Sequence, residues 1–144
     1  MNETHPPRRI GRSIGAVLAG AFAGVAFTLG TDALLQATGV FPPSSQSRSG
    51  PPAGDALLLL ATAYRTVYGV AGSYLTARLA PDRPMLHVLI LGAIGTVLGI
   101  VGVVVTWGQP VAVGHEWYPI ALAALSMPQS WLGGVLHRRW HAEP

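Results

Sequence analysis

Four stretches of the chain are apolar almost without interruption: residues 13–35, 56–77, 86–106 and 117–136. Each is close to the roughly 20 residues that cross a hydrocarbon core about 30 Å thick. The first carries no charge until Asp32, the second is broken by Arg65, the third has His87 near one end, and the fourth is free of charge. Continuous apolar runs predict helices, because barrel strands would be about 10 residues long and would alternate in polarity. The predicted fold is therefore all-α, a four-helix transmembrane bundle forming one polytopic membrane domain over residues 1–144. Pro81, Pro84 and Pro110 fall between the stretches, and Pro119 falls in a first turn where its missing N–H costs nothing. Asp55 is placed to cap the second helix, and the Pro-, Ser- and Gly-rich segment 39–54 reads as a flexible loop.

Composition sharpens this picture. Half of the residues are hydrophobic and 10% are charged, against about 25% in soluble domains. So few charges do not cover the surface of a soluble domain of this length. There is no cysteine, which excludes a disulfide scaffold, thiol redox chemistry and Cys-ligated clusters. The net charge of +3 comes from nine Arg and no Lys, and the Arg residues are scattered rather than striped, so no nucleic-acid partner is expected. The Arg bias with abundant Ala, Gly and Pro suggests a GC-rich bacterial genome, hence an inner-membrane location.

The arginines also orient the chain. Arg8, Arg9, Arg12, Arg78, Arg83, Arg138 and Arg139 fall on one side of a four-span arrangement, and Arg48 falls on the other. The positive-inside rule then puts both termini in the cytoplasm, with Trp107, Trp117 and Tyr118 in an outer aromatic belt and Tyr74 and Trp140 near the inner one. The alternative at the N-terminus is a signal peptide cleaved near Ala19–Ala21, which would leave three spans; the apolar run exceeds the usual length of such a segment.

Small residues are placed for close helix contact. Gly20 and Gly24 form a Gly-x3-Gly pair, Gly69 and Gly72 lie on the second span, and Gly92, Gly95, Gly99 and Gly102 share one face of the third. Such a stripe serves either a dimer interface or packing within the chain; with four spans available, packing within the chain is the expectation.

Candidate chemistry centres on Arg65, near the middle of the second span, where a charge costs at least about 2.5 kcal/mol. It shares a helix face with Tyr68, Gly69, Gly72 and Thr76, which should turn into the bundle. Asp32 is its natural partner, although the span midpoints put Asp32 about 12 Å from the midplane and Arg65 about 2 Å. Tyr64 and Tyr68 flank the guanidinium and offer phenols for hydrogen bonding or stacking. Pro128 inside the fourth span frees the carbonyl of Ala124 and predicts a hinge, and Gln129 needs a partner on another helix. His115 and Glu116 are adjacent without a matching third ligand, so no metal and no cofactor are expected.

No nucleophile motif, phosphate loop, dinucleotide fingerprint or zinc-protease motif occurs, and no enzymatic activity is expected. The length and span number resemble those of small multidrug-resistance transporters, which depend on a Glu within the first span. Here the acidic residue of that span is Asp32, near its far end, so the resemblance stops at size. Two functions follow from the residues: a non-enzymatic helix-packing or accessory module in the bilayer, associating with itself or a larger membrane complex, or a small transporter or channel using Arg65, Tyr68, Asp32 and the Pro128 kink.

Overall fold

A computed structural model of the chain describes residues 8–42, 54–107 and 115–141. Four helices run α1 (Arg8–Ala37), α2 (Asp55–Leu79), α3 (Pro84–Thr106) and α4 (Trp117–His141), with no strand among the described residues. Two of them, over Ile10–Ala37 and Pro84–Thr106, are long and apolar enough to cross a membrane. The expected equivalence of the four apolar stretches is thus not reproduced. Arg65, three threonines and three tyrosines dilute α2, while Pro128, Gln129 and two serines dilute α4.

Placement explains that difference. α2 lies at the centre and touches the other three helices; α4 packs on both α2 and α3. α1 rests on α2 with a lighter contact to α3 and none to α4. The two most apolar helices, α1 and α3, expose much of their apolar surface, while α2 and α4 carry more of the polar side chains and share a broad contact. Phe22 on α1 and Val104 on α3 are 75% and 69% exposed.

The helices end where local chemistry stops them. α1 closes in a Schellman cap: Gly39 takes a positive φ of 75°, its N–H donates to Gln36 O, and Val40 N–H donates to Leu35 O. Phe41 then folds back onto the cluster of Leu58, Ala61 and Tyr118. The segment read as a loop from residue 39 therefore begins as an ordered cap. The rest of that loop through residue 53, Arg48 included, lies outside the described residues, as does Pro110 farther along the chain. α2 starts at Gly54, whose backbone provides the cap without a side chain. Asp55 is not the expected N-cap; it occupies the first helical turn, where its charge still favours the helix dipole. Pro84 opens α3 at a position where no N–H is needed.

Glycines set the distances between helices. Gly20 on α1 faces Gly72 and Thr76 on α2, and Gly24 faces the Tyr68 carbonyl, so α1 and α2 are antiparallel. Gly92 meets Ser130 and Met127, Gly95 meets Ser126, and Gly99 meets Ala123, which makes α3 and α4 antiparallel. Most of the α3 stripe is therefore used inside the chain, whereas Gly102 has nothing within 4 Å. α2 and α4 run parallel, and their backbones come close at Gly133: a Cβ there would stand 2.6 Å from the Ser73 Cβ and the Val70 carbonyl. Sequence spacing alone did not single out Gly133 or Gly134, since the stripe on α3 carried the obvious period.

This packing makes a contrast measurable. Gly133→Ala must push α4 from α2 and should lower the detergent melting temperature, by an amount typical of overpacking, about 1–3 kcal/mol. Gly102→Ala should leave it unchanged or raise it, because alanine is the better helix former. Equal effects at the two positions would contradict the packing.

Candidate functional site

The site grows from the register of α1 on α2. With Gly24 opposite Tyr68, Asp32 falls beside the stretch containing Tyr64 and Arg65. Helical side chains lean toward their own N-terminus. In an antiparallel pair, Asp32 and Arg65 therefore lean toward each other, which closes the gap that span midpoints alone leave open. Arg65 Nη2 donates to Asp32 Oδ2 at 2.7 Å, with the two side chains 28% and 21% exposed.

The remaining valences are spread over three helices. Tyr64 donates from its hydroxyl to the second oxygen of Asp32. Arg65 Nη1 donates to the Tyr118 hydroxyl on α4. The guanidinium carbon lies 5.8 Å from the Tyr64 ring centre and 5.6 Å from that of Tyr118, within cation–π range. Arg65 Nε is buried without a partner. Tyr68 does not bind the pair; its hydroxyl shares a 2.8 Å hydrogen bond with Thr31, and its ring packs on Phe27 and Tyr64.

Tyr118 overturns one expectation. It is 6% exposed, inside the bundle rather than in an outer aromatic belt. The sequence placed it beside Trp117 at a helix start, where interfacial and interior positions differ by one residue of rotation. Trp117 does stay at the rim, donating from its indole to Asp55 at 2.9 Å, and the same carboxylate pairs with His115 Nδ1 at 2.8 Å. His115 is thus tied to Asp55, and among the described residues no group of three His, Cys, Asp or Glu is arranged to hold a metal.

Next to the ion pair, all four helices line a cavity of about 250 Å³. Arg65, Tyr68, Gly69, Thr28, Gln129 and Ser126 contribute its polar atoms and bare backbone. The α4 helix continues through Pro128. Gln129 meets α2 at Gly69, where a Cβ would come within 2.6 Å of its amide nitrogen and oxygen. Packing, rather than a hydrogen bond, provides the partner expected for it on another helix. Deeper along the same seam, Ser73 donates to Ser130 at 3.2 Å.

A second polar cluster lies at the opposite end of α2 and α4. His137 stacks with His141 at 4.4 Å and edge-on to Tyr74, which also meets Trp140. Burial holds the His137 imidazole below its usual pKa, and the neighbouring His141 and Arg78 charges add to the effect.

No family model, curated protein or solved structure matches the chain.

Chemically, the Asp32–Tyr64–Arg65–Tyr118 set is a charge-neutral clamp that joins α1, α2 and α4. Tyr118→Phe keeps the ring over the guanidinium but removes the acceptor for Nη1. It should destabilise the chain in detergent by about 1–3 kcal/mol, the usual consequence of leaving a buried donor unmet. Tyr68→Phe, which frees only Thr31, should have the smaller effect. A melting curve for Tyr118→Phe that overlays the parent would show that the clamp does not reach α4.

Proposed function

We propose that the chain is a four-span protein of a bacterial inner membrane, with both termini cytoplasmic, acting without enzymatic chemistry as a helix-packing or accessory module. The observation that carries this is the inverted distribution of polarity. The outward faces of α1 and α3 are apolar, with Phe22 and Val104 largely exposed, while Asp32, Arg65, Ser73, Ser126 and Ser130 turn to the seams between helices. Lipid rewards that arrangement, since interhelical polar groups have no water to return to. The seven arginines at one set of helix ends support the orientation. α2 and α4 are tolerable as spans because neighbouring helices cover their polar residues.

The accessory role is supported by the placement of α1. It leans on the bundle along one side, has no contact with α4, and carries Gly11 and Gly15 with nothing within 4 Å. Those glycines leave room for another helix, from a second copy or from a larger membrane complex, to approach closely. A second reading, a small transporter, is favoured by one observation: the cavity beside Arg65 lined by every helix.

Fusions to alkaline phosphatase and to a fluorescent protein test the topology. Phosphatase should be active when joined within residues 39–54 and inactive after Arg83, and the reverse pattern would contradict it. Affinity purification from native membranes then separates the two roles. A stoichiometric membrane partner or a homo-oligomer is expected. A lone chain whose deletion changes solute uptake would favour transport.

A further inference from the structure

The cavity carries more than a general suggestion of transport. Its walls are mostly the bare backbone and small side chains of Gly20, Gly24, Gly72, Gly92 and Gly95. Its volume of about 250 Å³ exceeds the roughly 150 Å³ that holds a benzene ring in an apolar protein cavity. From Arg65 to Ser73 along α2 the lining extends on the order of 12 Å, enough for a medium alkyl chain. It opens beside Val25 and Leu29, apolar residues that both line it and lie on the exposed face of α1.

Charge narrows the occupant. The Arg65 charge is already matched by Asp32, and its terminal nitrogens donate to Asp32 and Tyr118, so the guanidinium carries no uncompensated charge for an anion. The lining groups without a hydrogen-bond partner among the described residues include the Gln129 amide, the Thr28 hydroxyl and the buried Arg65 Nε–H, a further donor. An amide and a hydroxyl together donate and accept. They suit a neutral head that does both.

We propose that this cavity binds an uncharged single-chain amphiphile with a hydroxyl head, drawn from the lipid phase past Val25 and Leu29. The head meets Gln129 and Thr28, and the alkyl chain lies against the glycine-lined walls. An ionised lipid head is disfavoured because the neutral clamp has no free charge to match it. The inference rests on the four-span placement, which puts the opening against lipid.

The test uses the full chain in phosphatidylcholine vesicles and a diazirine-bearing octan-1-ol as photolabel. Label is expected on α1 near Val25 and Leu29 and on α4 near Gln129, and excess plain octan-1-ol should compete it away. Gln129→Leu should reduce the label about fivefold, the scale of one lost hydrogen bond. Val25→Trp, at an exposed position that does not threaten folding, should block the opening and reduce it as well. Label spread evenly over Phe22, Val104 and the other outward residues, insensitive to competitor and to both substitutions, would overturn the proposal. The underlying placement fails separately: alkaline carbonate would then strip the chain from the vesicles, whereas a retained but unlabelled chain contradicts only the cavity assignment.

Discussion

A guanidinium held midway along a helix packed against three others must have its charge and its donors met nearby, and this requirement organises the bundle. Arg65 on α2 finds its counter-charge on α1 and a phenol acceptor on α4. Tyr64 completes the carboxylate from the side. Removing either charge would leave the other uncompensated between packed helices, a loss of several kcal/mol. The clamp is therefore a positional constraint as much as an attraction. It fixes which part of α1 lies against which part of α2, and it ties α4 to both.

That constraint is satisfied because the backbones come close elsewhere. Gly20 against Gly72 and Gly24 against Tyr68 bring α1 onto α2 at the register that puts Asp32 beside Arg65. Gly133 does the same for α4 on α2, and Gly92, Gly95 and Gly99 do so for α3 on α4. The gap left where α1 and α4 do not meet becomes the cavity. Glycine packing, ion pair and cavity are thus consequences of one arrangement. On the proposed membrane placement, its outward faces are greasy and its seams are polar.

The helices were legible in the sequence because uninterrupted apolar runs admit little else, and their order and approximate limits follow from proline and charge positions. The Arg65–Asp32 pairing was legible as chemistry but not as geometry. Counting residues from span centres ignores that side chains on antiparallel helices lean toward one another. Tyr118 was missed as a partner because one residue of rotation separates it from Trp117 at the rim. Gly133 was missed because it lacks a glycine three or four residues away on its face. The cavity could not be read at all, since it depends on which two helices fail to touch. Asp55 shows a different limit: a residue suited to capping instead joins His115 and Trp117 at the start of α4.

The central claim is that Asp32 and Arg65 stabilise the bundle as a pair, and a double-mutant cycle measures this directly. Melting in detergent is compared for Asp32→Leu, Arg65→Leu and the double substitution. Each single change should destabilise by about 3–5 kcal/mol, and the double variant should recover much of that loss, because no uncompensated charge remains. Strictly additive losses, or a harmless Arg65→Leu, would contradict the account.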